Sequence, residues 1–94
     1  MARAGEIAGL TAAGSTVFEA SVDGEASGFT IVVASGGNNC EVRIPGMHGT
    51  DWFTVPAGQT QTFNGSIDRV VLRADTGTVN VGYGVTGARN PYRD

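Results

Sequence analysis

The stretch VPAGQTQTFNGSIDRVVLRADTGTVNVGYGVT, residues 55–86, alternates turn signals with strand patterns and decides the fold class. Val55-Pro56-Ala57-Gly58 opens it: Pro presets φ and Gly supplies a positive φ, so the chain can reverse before Gln59. Asn64-Gly65 is the two-residue signal of a tight hairpin. From Ile67 to Ala74 the side chains alternate, with Val70, Leu72 and Ala74 on one face and Arg69, Val71 and Arg73 on the other. Asp75-Thr76-Gly77 makes another turn. Thr78 to Val85 alternates again, with Val79, Val81, Tyr83 and Val85 together.

The same reading extends upstream. Thr16 to Val22 is expected as a strand with Phe18, Ala20 and Val22 on one face. Phe29 to Ala34 is apolar and β-branched, which suits a central strand. Ser35-Gly36-Gly37-Asn38 reads as a hairpin loop that returns through Asn39 to Ile44, with Cys40, Val42 and Ile44 inward and Glu41 and Arg43 outward. Strands every 8–12 residues with turns between them predict an all-β, single-domain antiparallel β-sandwich or small barrel. Residues 1–15, rich in Ala, Gly and Thr, are expected as an extended N-terminal arm with Ile7 and Leu10 as its anchors. Residues 16–86 form the domain, and 87–94 a polar C-terminal tail.

Ninety-four residues form one domain with a thin core. Gly accounts for 15 of them, about twice the usual ~7%, in keeping with the many turns. A formal net charge of −3, with six dispersed Arg and no Lys, argues against a nucleic-acid surface. The single Cys cannot form an intrachain disulfide. The first residues carry Arg3 and Glu6 and no apolar run, so neither a leader nor a membrane span is expected, and folding in a reducing, soluble compartment is.

Three catalytic patterns fail on their own chemistry. Asp75-Thr76-Gly77 matches the tripeptide around an aspartic-protease carboxylate, but Arg73-Ala74 precede it where apolar residues belong, and the chain after Gly77 is too short for the rest of that fold. Cys40, Met47 and His48 are blue-copper residue types, yet such a site needs two His and the chain has one. His48 has no nucleophile elbow to serve. The expectation is therefore a protein that is not an enzyme and needs no cofactor or metal. Trp52 and Phe53, adjacent on a strand, must point to opposite faces, so one is expected in the core and the other exposed or covered by a partner. The face carrying Arg69, Val71 and Arg73 is a second candidate contact.

Val55-Pro56-Ala57-Gly58-Gln59-Thr60, Ile67-Asp68-Arg69-Val70 and Thr78-Val79-Asn80-Val81-Gly82-Tyr83-Gly84-Val85 together resemble small virion proteins of tailed bacteriophages, above all head decoration (cement) proteins. That resemblance implies a structural protein made in the host cytoplasm and bound to the outside of the capsid in the virion. It implies the major capsid protein as partner, a homo-oligomer with a trimer favoured, and an arm whose Ile7 and Leu10 dock on neighbouring subunits. A fibre-tip or adhesin-like domain that binds a receptor or glycan through Trp52 is the alternative.

Overall fold

A computed structural model describes residues 3–87. Eight strands follow in chain order: β1 (Arg3–Thr11), β2 (Ser15–Glu19), β3 (Ala26–Val33), β4 (Cys40–Arg43), β5 (Phe53–Val55), β6 (Thr60–Ile67), β7 (Arg69–Ala74) and β8 (Thr78–Thr86). Two single helical turns, α1 (Ala20–Asp23) and α2 (Pro45–His48), sit between β2 and β3 and between β4 and β5. All pairings are antiparallel and form two four-stranded sheets, β1-β8-β3-β6 (sheet A) and β2-β7-β4-β5 (sheet B).

The strand order has a simple origin. The first strand pairs with the eighth, the second with the seventh, the third with the sixth and the fourth with the fifth. The chain is thus one long antiparallel hairpin bent between β4 and β5. Rolling that ribbon brings β3 against β8 and β4 against β7, which splits it into two facing sheets. This is the jelly-roll arrangement of a β-sandwich.

Alternation fills the space between the sheets. Phe29, Ile31 and Val33 of β3, Val79, Val81 and Val85 of β8, Val70, Leu72 and Ala74 of β7, and Cys40 and Val42 of β4 are all buried. No charged or polar side chain is buried with them among the described residues. Stability therefore rests on apolar area, at about 25 cal/mol per Å² removed from water. As its β-branched run suggested, β3 is central, between β8 and β6.

Several local expectations are corrected. Residues 3–11 are extended, but as a paired strand along β8 rather than an arm, and Leu10 is only 3% exposed in the core. Asn64-Gly65 is no hairpin turn: β6 runs through it to Ile67, and Gly65 (φ 133) accompanies an irregularity in the pairing with β3. Ser35 to Asn38 does not return a hairpin to β3, because β4 lies in the opposite sheet. The strand expected from Thr16 to Val22 stops at Glu19, and Val22 is 80% exposed. In this rolled ribbon every connection between successive strands except β4–β5 crosses from one sheet to the other, so turn-like residues mark crossings rather than hairpins. The expected tail lies outside the described residues except for Gly87.

Polar side chains pin these crossings. Asp68 alone separates β6 from β7. Its carboxylate accepts the Gly46 N–H at 3.1 Å and its carbonyl accepts the Ala20 N–H at 2.8 Å, so one residue ties α2 and α1 to the corner. Asp75, in the turn of the Asp-Thr-Gly tripeptide, accepts the Asn39 N–H on Oδ1 and donates its own N–H to the Asn39 carbonyl, both at 3.1 Å. Gly77 completes that turn at φ 57, where a side chain would be strained.

Candidate functional site

The outer face of sheet B gathers four of the residues singled out from sequence. On β7, the inward turn of Val70, Leu72 and Ala74 forces Arg69, Val71 and Arg73 outward. Register then sets their neighbours: Arg73 lies opposite Glu41, Val71 opposite Arg43 and Thr16, and Arg69 opposite Glu19. Arg73 Nε donates to Glu41 Oε1 at 2.7 Å. Arg69 reaches Glu19 at 3.5 Å, with both side chains more than two-fifths exposed.

Trp52, the residue just before β5, closes this face. The Arg73 guanidinium lies 3.9 Å from the centre of its indole ring, and that of Arg43 lies 5.3 Å away. One guanidinium thus serves a carboxylate and an aromatic ring at once, fixing a rotamer-rich side chain before any partner arrives. The Nε of Arg43 is buried without a hydrogen-bond partner, so the site holds this cation by stacking and packing rather than by a full set of acceptors. On this face three guanidinium groups meet two carboxylates, Glu19 and Glu41.

Phe53 lies elsewhere. It is 39% exposed and packs on the side of the sandwich where β5 faces β6, with its ring edge-on to Phe63 at 5.2 Å and stacked with His48 at 6.0 Å. Trp52 and Phe53 do point to opposite faces, as alternation requires: Trp52 outward, and Phe53 to the inner side beside its partner Val42, but at the open rim against Phe63, which leaves it exposed rather than filling the core. His48 ends α2 and is partly buried. Its Nδ1 accepts the Ile44 N–H at 3.0 Å, which ties the ring back to the start of α2. Of the two expected arm anchors, Ile7 is half-buried opposite Val81 and Leu10 is buried opposite Val79, both on a strand of sheet A rather than on a separate arm.

Cys40 is inside the sandwich, fully buried, and its thiol is pushed up to about 11, first by burial and less by the nearby carboxylates of Glu41 and Asp75, against a backbone hydrogen bond at Arg73. It is a small core hydrophobe with little thiolate at neutral pH. Among the described residues no group of three His, Cys, Asp or Glu side chains is placed to hold a metal ion, and no helix is long and apolar enough to cross a membrane. No protein-family model matches the chain, and neither a curated protein nor a solved structure does.

Glu41 and Arg43 complete the site although they had not been singled out. The Cys-Glu-Val-Arg alternation placed them outward, but their meeting with Arg73 and Trp52 depends on β4 pairing with both β7 and β5. Nothing local in the sequence signals that pairing.

Proposed function

We propose that this chain is a non-enzymatic structural protein of a tailed-phage head that binds the outside of the capsid and reinforces it, docking through the outer face of sheet B. The observation that carries the reading is the ordered stack of Trp52, Arg73 and Glu41 beside Val71 and Arg43. Trp and Arg are the side chains most enriched at binding hot spots, and here they are held in place before contact. A jelly-roll alone implies no function. The local excess of guanidinium groups favours a partner surface offering carboxylates around an apolar centre, and the reading takes that partner to be the major capsid protein. Many copies on one lattice bind well even when each contact is weak.

A glycan-binding tip domain fits the same face less well, because the Arg73 guanidinium at 3.9 Å already occupies one stacking face of Trp52. The test is co-sedimentation with capsids assembled without the protein, alongside mass spectrometry of purified particles. Wild type is expected to sediment with the capsids, and Arg73→Glu and Trp52→Ala to stay in solution while retaining a cooperative melt. Absence from particles, or capsid binding indifferent to both substitutions, overturns the proposal. Binding of wild type to a glycan array, lost with Trp52→Ala, favours the tip-domain reading.

A further inference from the structure

A sandwich of two four-stranded sheets has four edges, and three of these are blunted. Strand β1 carries Glu6 and breaks its register between Ile7 and Leu10, where Gly9 (φ 74) bulges and gives its N–H to Asn80 Oδ1. Strand β2 shifts register between Thr16 and Phe18 and ends at once in α1. Strand β5 has three residues. These are the usual devices that keep an open edge from pairing. Strand β6 has none of them in its first half. Thr60 to Asn64 stay in regular register with β3 and contain no charge and no Pro. Its register shift falls beyond Asn64.

The hydrogen-bond phase shows which groups are open. Val33 donates to the Gln59 carbonyl and accepts from the Gly58 N–H, whereas Ala34 donates to Asn80 of β8. Alternate residues of β3 therefore face β6, and Gln59, Gln61 and Phe63 face back toward them. The backbone N–H and C=O groups of Thr60, Thr62 and Asn64 point away from the sheet. One of these carbonyls, that of Thr62, takes a long 3.3 Å bond from its neighbour's Gln61 side-chain amide and keeps a second lone pair.

Apolar side chains border the same edge. Among the described residues four large hydrophobic side chains are exposed, and three of them lie here. Val32 (50%) stands opposite Thr60, Phe53 (39%) packs on Phe63, and Met47 (37%) lies against Gly65. An open, uncharged edge flanked by exposed apolar groups is a surface shaped for another strand.

We propose that β6 pairs antiparallel with β6 of a second copy about a two-fold axis at Thr62, joining the two A sheets into one continuous sheet. The register makes Thr62 face its own counterpart and Thr60 face Asn64. Two bonds for each of these three pairs give about six interchain hydrogen bonds, within the common range of ~5–15 for a stable interface. The same edge on both partners satisfies both, which is the logic of an isologous dimer. A trimer built by strand pairing would need a second, different edge, and the other three are blunted. This inference replaces the three-fold assembly expected from the resemblance, and it stands apart from capsid docking, since sheet B stays uncovered.

Light scattering and sedimentation of the full chain test it at about 100 μM, well above a micromolar Kd. Wild type is expected at twice 9.6 kDa, about 19 kDa. Thr62→Pro removes an outward N–H that β3 does not use, and Thr62→Lys and Thr62→Glu each set like charges face to face; all three are expected at 9.6 kDa. If Thr62→Pro fails to fold, the charged pair still decides. Mixing Thr62→Lys with Thr62→Glu is expected to restore the 19 kDa species, because the axis then brings opposite charges together. A monomeric or trimeric wild type, a dimer that survives Thr62→Lys, or a mixture that does not re-associate overturns the proposal.

Discussion

The two ion pairs on the outer face of sheet B offer an internal control on what holds that face in place. Arg73–Glu41 and Arg69–Glu19 both join directly opposed residues across antiparallel strands, so their backbone geometry is matched. Their surroundings are not. The first pair is 2.7 Å apart with side chains 35% and 20% exposed, and its guanidinium also lies over Trp52; the second is 3.5 Å apart and 47% and 41% exposed. An exposed pair at the longer distance contributes about 0–0.5 kcal/mol after screening and side-chain entropy. A short, half-shielded, charge-assisted bond on a side chain already oriented by a ring contributes about 1–1.5 kcal/mol. Double-mutant cycles with Glu41→Gln, Arg73→Met, Glu19→Gln and Arg69→Met, each unfolded in urea, measure the two couplings. Far-UV circular dichroism follows the transition independently of the lone Trp52, whose fluorescence the Arg73 change itself perturbs. In 1 M salt, where the Debye length is ~3 Å, the Arg69–Glu19 coupling is expected to vanish and the Arg73–Glu41 coupling to persist in part. Equal couplings, or a larger one for Arg69–Glu19, refute the claim that this site is ordered ahead of binding.

Other consequences follow from the core. Leu10→Ala is expected to cost about 2–5 kcal/mol in urea unfolding, as a buried truncation does, against under ~0.5 kcal/mol for a residue in a free arm. Cys40 has a folded pKa raised from 9.0 to about 11, so its contribution is whole below pH 9 and is lost as pH rises toward 11. The stability difference between wild type and Cys40→Ala should therefore shift by roughly 2–3 kcal/mol across that window, and a flat difference would show the thiol to be solvated. Gly5→Ala places a Cβ 2.6 Å from the Tyr83 ring, which must swing off Phe29; the melting temperature is expected to fall by about 4–8 °C for each kcal/mol of an expected ~1–3.

How far the sequence carried this structure depends on the range of the physics involved. Alternation is a two-residue rule, so the shared faces of β4, β7 and β8 were legible and hold residue by residue. Turn chemistry is equally local, and Pro56-Ala57-Gly58 and Asp75-Thr76-Gly77 turn the chain where expected. What those turns connect is not local. Asn64-Gly65 has the letters of a hairpin, yet β6 continues through it, and the reversal expected there is a crossing at Asp68. The N-terminal residues misled for a related reason. Gly5, Gly9 and small neighbours give residues 3–11 a weak strand pattern on their own, and the strand exists because β8 supplies a ladder and Tyr83 covers Gly5.

The candidate site divides along the same line. Arg69, Val71 and Arg73 share a face by alternation, so their common exposure was foreseeable. Trp52 joins them only because β4 sits between β7 and β5, and Glu41 and Arg43 acquire their roles from that placement. Long-range pairing thus converts separate outward residues into one rigid surface, and it also leaves β6 at the edge of its sheet. Both proposed contacts, sheet B with a capsid and β6 with its own copy, are products of how the ribbon rolled. They occupy different sides of the molecule, so a dimer could present two Arg73–Trp52 faces at once, and loss of the dimer through Thr62→Lys should weaken lattice binding without touching either face. If Thr62→Lys instead bound capsids as tightly as wild type, the two surfaces would be independent and avidity would come from the lattice alone.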